Sequence, residues 1–200
     1  MFQLVESIRI ENKQLQHIDL HNKRFNRSRK KLFNCTGEID LAHHIVLPGN
    51  LGNERYKCRV TTANGVNINV DITPYVQRKV ESLKLVEMEA IDYSIKTDQR
   101  DALNEAFARR ANCDDIIIVR NKCLTDSWAA NLILFDGEKW VTPETPLLRG
   151  IQREFLLITN QITEQKITVA DLGKFQTVKL INALIDFDRA PEIAIEKIVP

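Results

Sequence analysis

The chain has 200 residues, 44% hydrophobic and 28% charged, with a formal net charge of +1. That length buries a real core, in one domain or two small lobes. The near-neutral balance provides no field to hold a polyanion, so nucleic acid is not expected as a partner. No apolar run approaches the roughly 18 residues of a membrane span, and an acidic residue interrupts the opening MFQLVESIRI where a signal peptide would be apolar. A cytoplasmic protein without membrane contact is the expectation. Cys35, Cys58, Cys113 and Cys123 stand far apart. With no CxxC pair, they read as free thiols rather than zinc ligands, and no metal is expected.

Residues 2–10 alternate, with Phe2, Leu4, Ile8 and Ile10 on one side, as in a half-buried strand that turns Glu6 toward the buried side. A turn at Asn12 and Lys13, a second strand near 14–18 and an N-cap at Asp19 lead into a helix over 20–33. Between Lys23 and Lys31 six of nine positions are Lys or Arg. Such a run reads either as a solvated face or as an anion site. A short helix is expected over 37–46, ended by LPGN. The segments 55–62 and 66–72 flank Asn64-Gly65 and predict a hairpin with a tight two-residue turn. A strand over 82–90 follows, then a helix over 101–110 and the continuous apolar strand 116–119. Asn121-Lys122 is a turn, and Asp136-Gly137 joins a hairpin of 132–135 with 139–141. Pro143 and Pro146 precede a helix over 150–159, and strands over 178–181 and 192–198 close the chain. The order is mixed, with many hairpins, and predicts two α+β lobes, 1–90 and 91–200.

His43-His44 lacks a third ligand at metal spacing, and no Ser-His-Asp order or phosphate loop stands out. Taken alone, Lys96 is an exposed loop lysine and Asp126 an ordinary turn residue. They gain meaning from their sequence context. Lys96, the strand 116–119, Asp126, Ala129-Ala130-Asn131, Thr142-Pro143 and Gly150-Ile151-Gln152-Arg153 occur in that order and at workable spacing. This pattern resembles the fold-type IV, or class IV aminotransferase, family of pyridoxal-phosphate enzymes. VESIRI and HNKRFNRSRKKLF near the start, and LINALIDF near the end, are similar to further segments of that family.

The resemblance implies a two-lobed fold with pyridoxal 5'-phosphate (PLP) between the lobes and Lys96, in the second lobe, as the Schiff-base lysine. Such a lysine must be released from its ordinary high pKa. Asp126, where the family more often has glutamate, would face the ring nitrogen, its shorter side chain reaching directly or through a water. Arg24 would pair with the phosphate through its fork of donors. Gly150, Ile151 and Gln152 would offer a helix N-terminus to the same phosphate, Gln152 replacing a common threonine. Backbone groups of Asn182 and Ala183 would complete the phosphate or substrate-carboxylate site. The stretch that commonly precedes the first strand of family members is missing here.

The resemblance also implies a small-molecule amine substrate and a homodimer. Asn182-Ala183-Leu184 and the compact length favour a lyase converting 4-amino-4-deoxychorismate to 4-aminobenzoate and pyruvate. The alternatives are a transaminase of D- or branched-chain amino acids and a catalytically inactive binding protein of the same fold. Arg9, Arg59 and Arg100 are all available for a substrate carboxylate, and the sequence ranks none of them.

Overall fold

The computed structural model describes residues 2–200. Among them no helix is long and apolar enough to cross a membrane. The chain separates into two compact units, the first formed by 1–77 with 95–99 and the second by 78–94 with 100–200. Relative to a division at 90/91, the segments 78–90 and 95–99 are assigned differently.

In the first unit, β1 (Leu4–Glu11) is followed by β2 (Gln14–Leu15), α1 (Ile18–Phe33), β3 (Tyr56–Thr62) and β4 (Asn69–Pro74), and the sheet order is β2-β1-β3-β4. The turn between β1 and β2 places Asn12 and Lys13 at positive φ. Leu4, Ile8 and Ile10 pack with Phe25 of α1, Leu41, Cys58 and Val60 in one core. The helix begins earlier than expected. His17, in the left-handed region, stands at the N-cap, and Asp19 lies in the first turn instead.

The helix expected over 37–46 is reduced to a single 3-10 turn at Leu41–His44. Polar side chains of α1 hold the chain extended before it. Asn26 Oδ1 accepts from Ile39 N–H and its amide donates to the Ile39 carbonyl, Arg29 donates to the Gly37 carbonyl, and Asn22 Oδ1 accepts from Leu41 N–H. The loop between β3 and β4 is longer than two residues, because Thr61 and Asn69 are the last paired positions. Asn64 Oδ1 accepts from the Val66 and Asn67 N–H groups, folding an Asx turn in which only Gly65 has positive φ (76°).

The second unit opens with β5 (Leu83–Glu87). It continues through α2 (Asp101–Ala108), β6 (Asp115–Arg120), β7 (Cys123–Leu124), β8 (Asn131–Phe135), β9 (Trp140–Pro143) and α3 (Ile151–Ile158). It ends with β10 (Thr163–Gln165), β11 (Thr177–Ile181), β12 (Glu192–Ala194) and β13 (Ile198–Val199). One sheet has the order β13-β5-β6-β7, with β5 and β6 parallel, and the other β10-β9-β8-β11-β12. Ile116 to Val119 are all buried, as a strand covered on both faces requires. Asn121 and Lys122 both have positive φ in the tight turn from β6 to β7.

Candidate functional site

The first unit contains a buried polar cluster within its apolar core. Glu6 lies on the same face of β1 as Leu4 and Ile8, and α1 brings His21 and Arg24 over it. Arg24 Nε donates to Glu6 Oε1 at 2.8 Å and an Arg24 NH2 proton goes to Glu6 Oε2. His21 Nδ1 lies 2.7 Å from Glu6 Oε2. Burial alone would push the Glu6 carboxyl up, but Arg24 and His21 outweigh it and hold the group at about 2. Burial lowers His21 against the pull of Glu6, and the Arg24 and Lys96 charges lower it further. Burial thus favours the neutral ring, whose proton would sit on the Nδ1 that faces the carboxylate. His21 Nε2 is buried without a hydrogen-bond partner.

Lys96 also belongs to this unit, not to the second. The Val5 N–H donates to the Lys96 carbonyl (2.9 Å), the Asp98 N–H to Gln3 (3.0 Å), and Leu4 and Thr97 form an antiparallel bridge. The Gln3 N–H is returned to Asp98 Oδ1 at 2.7 Å. The lysine is thus carried on a short edge strand bonded to β1, its backbone fixed and its side chain half-buried. Arg24 and Lys96 are both set around β1, although the described fork of Arg24 is directed at Glu6.

In the second unit Asp126 stands at the base of the turn that leads into β8. The Ile118 N–H donates to the Asp126 carbonyl, the Ser127 N–H to that of Ala130, and Asp126 bridges to Asn131. Asn131 Nδ2 donates to Asp126 Oδ1 (2.7 Å) and to the Leu148 carbonyl (2.8 Å), and the Leu148 N–H donates to Asp126 Oδ2 (2.9 Å). Burial raises the carboxyl to about 7 against these donors. Each oxygen of the short side chain is already met by a donor of its own unit.

Gly150 is the N-cap of α3, and no side chain caps the helix. The first bonded N–H is that of Glu154, to the Gly150 carbonyl. Among the described residues the N–H groups of Ile151, Gln152 and Arg153 meet no acceptor, and Gln152 Oε1 is buried without a partner. Asn182 Nδ2 donates to the Ala129 carbonyl (3.1 Å), which ties the 182–185 turn to the turn after Asp126. The Asn182 backbone N–H is used by Ile185, leaving the Ala183 N–H as the donor without an acceptor among the described residues. The second unit therefore gathers Asp126, the start of α3 and the Asn182–Ala183 turn.

An added Cβ at Gly150 would lie 2.0 Å from Asn131 Oδ1. The Asn131 amide cannot swing away without releasing both Asp126 and the Leu148 carbonyl. Gly150→Ala is expected to cost about 1–3 kcal/mol by overpacking, read as a lower urea midpoint at unchanged slope.

Glu6 and His21 are the polar residues of this cluster that the sequence reading left without a role. Their signal was present, since Glu6 occupies a buried-side position of a strand and His21 precedes Arg24 by one helical turn.

The chain belongs to the class IV amino-transferase family, whose profile matches residues 3–191. Its fold is that of a fold-type IV PLP enzyme, and PLP is the cofactor that goes with the family. It is 36% identical over 186 residues to an uncharacterised protein of Haemophilus influenzae, covering 92% of this chain and 98% of that one. It resembles the crystal structure of a proposed 4-amino-4-deoxychorismate lyase from Haemophilus somnus with TM-score 0.85 and 32% identity, covering 92% and 97% of the two chains. A proposed amino-acid aminotransferase from Mesorhizobium loti shares the fold, at TM-score 0.83 and 19% identity over 100% of each chain.

The residues present suit such a cofactor. A phosphate requires several aimed donors, and the uncapped start of α3, with three N–H groups unbonded among the described residues, has the corresponding chemistry.

Proposed function

We propose that the protein is a PLP-dependent lyase that converts 4-amino-4-deoxychorismate to 4-aminobenzoate and pyruvate, a step of folate biosynthesis. The observation that supports a lyase over a transaminase is the 32% identity, over 97% of its length, to the Haemophilus somnus chain proposed to have that activity.

When bound, PLP supplies an electron sink that acidifies the C–H bond next to the substrate amine. Lys96 would hold the cofactor through its side-chain amine, and the same amine, once free, would be the base beside the substrate C–H. That amine takes the C–H proton and returns a proton to the departing enol of pyruvate. Asp126 would be the carboxyl that supports a proton on the cofactor's ring. The N–H groups at Gly150, Ile151 and Gln152, with backbone groups of Asn182 and Ala183, would bind the phosphate.

Transamination is the second reading, supported by the family's defining activity. It shares Lys96 and the first proton transfer, and differs in where the proton is returned. Purified holoprotein given aminodeoxychorismate is expected to release 4-aminobenzoate and pyruvate in equal amounts. Formation of glutamate from D- or branched-chain amino acids and 2-oxoglutarate, with no 4-aminobenzoate, would replace the lyase by the transaminase. A cofactor absorbance indifferent to every amine would leave only a binding protein.

A further inference from the structure

We propose that Arg59 binds the substrate's carboxylate, a role that rests on the reading of Lys96 as the cofactor lysine. The register of the first sheet supports it. Lys96 is hydrogen-bonded across from Val5, Val5 pairs with Thr61, Ser7 with Arg59, and Arg59 with Asp71. Directly opposed residues of antiparallel strands share a face, and positions two apart along a strand return to it. Val5, Ser7, Arg59, Thr61 and Lys96 therefore project from one face, opposite the face on which Leu4, Glu6 and Ile8 meet α1. Two strand spacings and two residues separate Lys96 from Arg59, about 12 Å between Cα atoms. Two long side chains on one face can approach a common small molecule across that gap.

The three arginines open to this role differ in their commitments. Arg100 donates to the Trp128 carbonyl (2.7 Å) and to the Tyr93 hydroxyl (3.4 Å), and lies over both rings, at 5.0 and 5.5 Å. Arg9 is buried and pairs with Glu11 at 3.3 Å, a carboxylate that Arg55 also holds. Arg59 is half-buried and makes no hydrogen bond or ion pair among the described residues. Asp71, its opposite on β4, is exposed and forms no ion pair with it among the described residues. A guanidinium on a folded sheet face with all five donors available suits bidentate capture of a carboxylate. Lys57 is on the same face but one position further from Lys96, opposite Arg9.

The test is equilibrium binding of 4-aminobenzoate and of 2-oxoglutarate to the holoprotein, with aniline as the carboxylate-free control. Arg59→Gln is expected to weaken both carboxylates by about ten- to a hundredfold, to leave aniline unchanged, and to keep full cofactor content. Arg59→Lys is expected to recover part of the loss, and Lys57→Gln to bind as the wild type does. Equal carboxylate binding by wild type and Arg59→Gln, no binding by either, or loss of cofactor from Arg59→Gln would each overturn the proposal. Borohydride fixation of the cofactor on a lysine other than Lys96 would instead overturn the functional reading, while leaving the Arg59-dependent binding of carboxylates measurable.

Discussion

Replacing Lys96 by methionine is expected to lower turnover by at least about 10²–10⁴-fold and to abolish covalent retention of the cofactor. The methyl thioether fills similar space but can neither bond to an aldehyde nor carry a proton. The fold should survive the change. What anchors this segment is main-chain bonding, the Lys96 carbonyl to the Val5 N–H and the Asp98 N–H to Gln3, together with the Asp98 carboxylate on the Gln3 N–H. These bonds are indifferent to the side chain at position 96. Borohydride treatment of the wild type, which makes an amine–aldehyde linkage permanent, should add the cofactor's mass to the peptide containing Lys96, and the variant should show none. Label on a different lysine, or turnover in the variant close to wild type, would remove Lys96 from its role.

The elements most easily read were those whose signals are local. Asn121-Lys122 and Asp136-Gly137 marked real turns, and the unbroken apolar run at 116–119 became a strand buried throughout. The spacing of Asp126, Asn131 and Gly150 was legible too, and its physical reason emerges only in three dimensions, where one amide of Asn131 braces both Asp126 and the backbone before Gly150. The failures arose where distant partners override local preference. The helix expected over 37–46 lost to hydrogen bonds from Asn22, Asn26 and Arg29 of α1, and the Asn64-Gly65 turn lost to the Asn64 side chain bonding its own loop. Arg29, counted among the charges of a basic face, is buried and donates to the Gly65 and Gly37 carbonyls. Nothing local in DYSIKTDQ announces that 95–99 returns to the edge of β1, since edge pairing depends on the partner strand and not on the segment's own pattern. That return sets Lys96 in the first unit beside β1.

Glu6→Gln should be the most destabilising single change in the first unit. It removes the counter-charge of Arg24 while both groups remain in a core from which water is excluded, and breaking one partner of a buried pair costs about 3–5 kcal/mol. It also replaces the acceptor that fixes the His21 tautomer. The pH dependence follows from the direction of the shift. The Glu6 carboxyl is held at about 2 in the folded protein against an ordinary 4.5. Its contribution is therefore complete above pH 4.5 and is lost as pH falls through 2. From the width of that window the ionised group is worth about 3 kcal/mol. Urea unfolding at pH 6 should show the full gap between wild type and variant, and the gap should close progressively between pH 4.5 and 2 as the carboxyl is protonated in the unfolded chain but still ionised in the folded one. A gap that stayed constant over that range would mean that shape, and not charge, holds Arg24 in place. A variant as stable as the wild type at pH 6 would mean that the ion pair contributes nothing net to the fold.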